Sequence, residues 1–127
     1  MLRSMPPGRL ELRALADAVA DNDAGAIDEA VGFFVAESRG VGHGRARARL
    51  ARRLKHVTLT ATQQALLVDA VARRLRSGVF SEQFADQWRL ALLLDAETMV
   101  AVATAALASD RAYIQRAARR VLLSSFR

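Results

Sequence analysis

An all-α fold is predicted by three features of the sequence. Apolar residues recur every three to four positions, strict apolar–polar alternation is scarce, and capping residues or glycines interrupt the apolar stripes at short intervals. With 127 residues, 52% of them apolar and 25% charged, the chain reads as one globular domain spanning residues 1–127. A chain of this size buries about two thirds of the surface that its unfolded form exposes.

The elements follow in order. After Pro6-Pro7-Gly8, the residues Leu12, Leu15, Ala16 and Val19 mark one face of a first helix, which Asp21-Asn22-Asp23 interrupts with capping chemistry. Ile27, Ala30, Val31 and Phe34 form the stripe of a second helix, for which Gly40 is the expected left-handed stop. The third runs from about His43 to Val57. Thr60 and Gln63 have capping-box spacing ahead of a fourth, with Leu67, Val71 and Leu75 inward. Arg73, Arg74 and Arg76 crowd its carboxyl end, where the helix dipole favours cations, and Gly78 stops it. Ser81 starts a fifth, with Phe84, Trp88, Ala91 and Leu92 on one face. Asp95 caps a sixth, with Met99, Ala103, Ala106 and Leu107 inward; Ser109 or Asp110 caps a seventh, with Ile114, Ala117, Val121 and Leu122 inward.

Seven short helices joined by short loops imply antiparallel neighbours, and their even spacing suits stacked hairpins better than a four-helix bundle. The pattern Ala-Arg-Arg followed by Leu or Val occurs at residues 51–54, 72–75 and 118–121. In residues 95–125, a helix of small and aliphatic residues is followed by Asp110 and by a second helix carrying Ile114, Arg116, Ala117, Ala118 and Val121. This hairpin resembles a HEAT-type repeat. The resemblance implies that Asp110 caps the second helix and that Arg116 joins a polar ladder between units. Extended backwards in the same phase it gives hairpins at 60–94 and 24–56, with the first helix as a cap. Such units need neighbours, because one helical pair cannot bury its apolar face alone.

Charge is unevenly distributed. Residues 1–38 carry a net −4, residues 39–78 a net +9 and residues 79–127 a net +1, so the overall +6 originates in the middle third. Its centre is the stretch GHGRARARLARRLKH, residues 42–56, which contains no carboxylate. On a helix, Arg45, Arg49, Arg52 and His56 follow at i, i+4, i+7 and i+11 and form one ridge, with Leu50, Leu54 and Val57 on the opposite side. Arg47 falls near the apolar side and needs a partner there or must snorkel. Like charges at i,i+4 repel by roughly 0.3 kcal/mol per pair, so the ridge calls for a counter-charge. Three sources compete: the chain's own Asp17, Asp21, Asp28, Glu29 and Glu37, an acidic protein partner, or the phosphates of a nucleic acid. The expected role is a non-catalytic binding or scaffold module that takes an acidic protein partner, with nucleic acid as the second choice. The expected contact residues are Arg45, Arg49, Arg52, Arg53 and His56, with Lys55 and Arg73 at the border.

Other chemistry finds little support. No cysteine is present, which excludes disulfides and thiolate metal sites and is compatible with a reducing cytoplasm. The amino terminus lacks the apolar run of a signal peptide, and the apolar run at 99–108 is too short to span a bilayer, so a cytoplasmic protein without a membrane segment is expected. His43 and His56 lack metal-spaced partners, so neither a metal nor a cofactor is expected. No Gly-x-Ser-x-Gly elbow occurs, and Glu82 and Asp86 read as a solvated face beside Arg89, leaving no catalytic residue to name. HEAT-like DNA glycosylases share the repeat type and the basic charge, but their cleft aromatic residues and catalytic Asp find no counterpart here. The glycines of RGVGHG, residues 39–44, read as a turn; a phosphate held by the helix amino terminus is the second reading. Trp88 is expected in the core and Tyr113 partly buried between helices.

Overall fold

The structure, a computed structural model, describes residues 9–38, 42–80 and 83–126, and these form seven α-helices. In chain order they are α1 (Arg9–Ala20), α2 (Ala24–Val35), α3 (His43–Leu54), α4 (Ala61–Ser77), α5 (Phe84–Leu94), α6 (Ala96–Ala106) and α7 (Ala112–Ser125). Among the described residues there is no strand.

The apolar stripes decide how the helices pack. α1, α3, α5 and α7 lie side by side in one layer, α2, α4 and α6 in a second, and the two layers meet along the stripes. α3 and α4, although consecutive, do not pack on each other. The seam is filled by Phe34, Leu50, Leu54, Leu67, Leu75, Leu90, Met99 and Ile114, all essentially solvent-free. Trp88 is buried as its stripe predicted, and the guanidiniums of Arg89 and Arg120 lie over its ring. Each large apolar side chain withdrawn in this way contributes roughly 1.5–3 kcal/mol.

Several ends are set locally, as the capping residues predicted. The Asp23 carboxylate accepts from the Ala26 amide at 2.8 Å at the start of α2. Thr60 and Gln63 close a reciprocal capping box on α4, at 3.1 and 2.9 Å. Gly78 terminates α4 in the left-handed region at φ 75°, and a Cβ there would run into Tyr113 and Ile114. Asp95 alone separates α5 from α6; its carboxylate accepts from the Thr98 amide and hydroxyl, bonds that hold its pKa below the usual carboxylate value.

Other ends correct the expectation. α3 stops at Leu54 rather than Val57. α2 stops at Val35, and Gly40, the expected stop, lies outside the described residues, as do Ser81 and Glu82. The N-cap residue of α7 is Arg111, in extended conformation and without a side-chain cap; Ser109 instead accepts from the Arg111 amide, and Asp110 does not cap. Leu107 follows the last turn of α6 and is 37% exposed rather than inward. Tyr113 is 39% exposed and tilts against Phe80. Arg116 is exposed, with no bonded partner among the described residues, so the ladder implied for it does not form.

Candidate functional site

α3 sorts its own arginines. Alanine, leucine and arginine are all good helix formers, and Gly42, at φ 78°, turns the chain into the first residue without a side-chain cap. The 3.6-residue period then carries Ala48, Leu50, Ala51 and Leu54 into the core and leaves Arg45, Arg52 and Arg53 exposed, with Arg49 half-buried beside them.

Arg47 points inward and finds its partners in the α2–α3 connection. Its guanidinium donates to the carbonyls of Ala36 at 2.8 Å and Ser38 at 2.6 Å and to the Ser38 hydroxyl at 2.8 Å, and it lies over the Phe33 ring. The Ser38 hydroxyl, which accepts from Arg47, also lies 2.7 Å from Nδ1 of the buried His43. His43 is thereby a packing residue, set edge-on to Phe33.

Arg74 of α4 reaches the same connection from the other side. It is 3% exposed and donates to the Glu37 carboxylate at 3.0 Å, to the Gln87 side chain at 2.9 Å and to the carbonyls of Phe34 and Ala36. Two buried guanidiniums therefore satisfy the carbonyls at the negative end of α2, a task usually left to a glycine cap or to water. Burial lowers the pKa of both; the positive charge of Arg74 lowers Arg47 further, and Glu37 opposes the shift in each. The placement of Arg74 was missed from sequence, although it sits three residues after Val71 on the inward stripe of α4.

On the outer face of α3, Arg52 pairs with Asp86 of α5 at 2.7 Å, and Arg89 approaches the same carboxylate at 3.8 Å. Arg45, Arg49 and Arg53 have no carboxylate within 4 Å among the described residues. Lys55 is half-buried at the helix end and His56 exposed beyond it. Among the described residues, no carboxylate of the acidic amino-terminal helices pairs with this face. Of Asp17, Asp21, Asp28, Glu29 and Glu37, only Glu37 forms an ion pair among the described residues, and its partners are Arg73 and Arg74 of α4.

Arg73 corrects the expected border of the ridge. It belongs to α4, which does not touch α3, and is engaged by Asp69 at 3.1 Å and Glu37 at 3.8 Å. In its place the structure adds Arg13. A groove of about 530 Å³ at the start of α3 is lined by Leu12 and Arg13 of α1, by Gly42, Gly44, Arg45, Ala46 and Arg49, and by Gln83 ahead of α5.

Among the described residues, no three histidine or acidic side chains gather as a metal site, and no helix is long and apolar enough to cross a membrane. The chain matches no protein-family model, no curated protein and no solved structure.

Proposed function

We propose that this chain is a non-catalytic binding module, HEAT-like in layout, that takes a short acidic segment of a protein partner on the outer face of α3. The carrying observation is the state of Arg45, Arg49 and Arg53: cationic, on one face, and unpaired within the chain's described residues. The Arg52–Asp86 pair illustrates the contact such a segment would make, a guanidinium closed on a carboxylate at 2.7 Å. The two-layer arrangement supports the HEAT-like reading, since consecutive helices of one layer present a continuous surface.

The width of the strip favours a peptide over a duplex. Arg45 and Arg53 are eight residues apart, about 12 Å along the helix. α1, with the exposed Asp17, packs along α3, and so does α5, with Asp86. A duplex broader than one helix would set its phosphates against those carboxylates. Lys55 and His56 extend the strip at its carboxyl end. The test is a fluorescence-anisotropy titration with a labelled Glu-rich decapeptide, a DNA duplex and a DNA single strand at increasing salt. The peptide is expected to bind most tightly and to weaken as salt screens the contact. Tighter binding of either nucleic acid, or no peptide binding at low salt, contradicts the proposal.

A further inference from the structure

The groove at the start of α3 joins features that a carboxylate ligand alone does not use. Arg13, Arg45 and Arg49 line it from two helices, and none of its described lining residues is acidic. None of the three guanidiniums has a carboxylate within 4 Å among the described residues. Three confined cations repel one another, and a single multivalent anion relieves all three contacts at once. The groove is also built from helix beginnings: Leu12 and Arg13 lie in the first turns of α1, Gly42 is the N-cap residue of α3, and Gln83 is that of α5. The positive dipole ends of α3 and α5 therefore border the same space, with Leu12 and Arg13 entering it one turn into α1. At α3 no side-chain oxygen caps the first amides, because the N-cap residue is glycine.

We infer that this groove seats the phosphate of a phosphorylated serine or threonine carried by the acidic segment proposed above, an inference that rests on that reading. A carboxylate offers two oxygens and one charge, enough for one guanidinium fork, as at Arg52 and Asp86. A phosphomonoester offers three oxygens and nearly two charges, which suits three guanidiniums and a helix amino terminus whose N-cap residue has no side chain. Arg49 and Arg53 continue from the groove along α3, so acidic residues flanking the phosphate would follow the strip while the phosphate fixes their register.

The experiment uses three peptides of one acidic sequence whose central residue is serine, phosphoserine or glutamate, titrated against the wild-type chain and an Arg13→Gln/Arg45→Gln variant. On the wild type the phosphopeptide is expected to bind about tenfold more tightly than the glutamate peptide. In the variant, which retains Arg49 and Arg53, that preference should shrink to about twofold or less while weak acidic-peptide binding remains. Equal affinity of the phosphopeptide and glutamate peptides for the wild type overturns the phosphate seat and leaves the acidic-segment reading standing. A preference that survives in the variant overturns the placement in this groove. Inorganic phosphate is titrated alone as a further arm, read on the amide resonances of Gly42 and Gly44. If it shifts those amides while no peptide binds, the groove is an anion seat and the acidic-segment reading falls. If it leaves them unmoved and no phosphopeptide preference is seen, the inference fails outright.

Discussion

The two arginine clusters of this molecule have the same chemistry and opposite situations. Around the α2–α3 connection, Arg47 and Arg74 are buried, and their hydrogen bonds go to Ala36, Ser38, Phe34, Glu37 and Gln87. On the outer face of α3, within the same helix as Arg47, the side chains of Arg45, Arg49 and Arg53 meet no carboxylate among the described residues. A buried cation is tolerated when its donors find acceptors; apart from Arg47 Nε, the solvent-shielded donors of this cluster do, and the first cluster is a clamp that closes the end of α2. An exposed cation contributes little to folding, so the second is free to serve recognition. The difference between them is one of rotation about a helix axis, not of residue type.

The widest separation between the clusters should come from Arg74→Ala. It strands the Phe34 carbonyl and the buried Gln87 side chain and leaves Glu37 with Arg73 alone, at an expected cost of about 3–5 kcal/mol. In a chain of this size that lowers the midpoint of a thermal melt followed by circular dichroism by about 10 °C or more. Arg45→Glu/Arg49→Glu/Arg53→Glu is expected to behave in the opposite way. Affinity for the Glu-rich peptide should fall by about a hundredfold or more. Its melt should stay close to the wild type, within about 0.5 kcal/mol per site, because i,i+4 repulsion is not made worse and no buried contact is lost.

Arg47→Met sharpens the clamp side by retaining the apolar stem while removing three hydrogen bonds. Arg47 has no carboxylate partner and its Nε is buried without an acceptor, so the cost in urea denaturation should be smaller than at Arg74, about 1–2 kcal/mol. Asp86→Asn tests the boundary between the clusters, since Asp86 engages Arg52 beside the proposed strip. Stability should drop by less than about 1 kcal/mol, and peptide affinity should rise by roughly two- to fivefold as Arg52 becomes available. A loss of affinity in that variant would mean that Arg52 and Asp86 work as one recognition element.

Several features that depend on neighbours within a turn or two were legible in the sequence, although the cap of α7 and the end of α3 were not. The Asp23 cap, the Thr60–Gln63 box, the Gly78 stop and the outward placement of Arg45, Arg49 and Arg52 all follow from local spacing and the helical period. What was not legible depends on residues far apart in the chain. α2 ends where Arg74, 40 residues beyond Phe34, supplies its capping donor, so no local glycine was needed to mark the stop. Arg52 is engaged by a carboxylate 34 residues away, and Arg73 by Glu37 as well as by its own-helix neighbour Asp69. Arg13 enters the groove only because α1 packs beside α3, a pairing that charge counting along the chain does not disclose. The inward position of Arg74 was available from its place on the α4 stripe. Its position near the helix end invited the simpler reading of a dipole-facing surface cation.

The division between clamp and strip can be read directly from the arginine side-chain resonances in a nitrogen–proton correlation spectrum of the free chain and of the chain with the Glu-rich peptide. Arg47 and Arg74 should show restricted guanidinium rotation in both spectra. Arg45, Arg49 and Arg53 should rotate freely alone and become restricted only when the peptide is added. Restricted rotation of these three in the free chain, or no change on adding saturating peptide, would contradict that division.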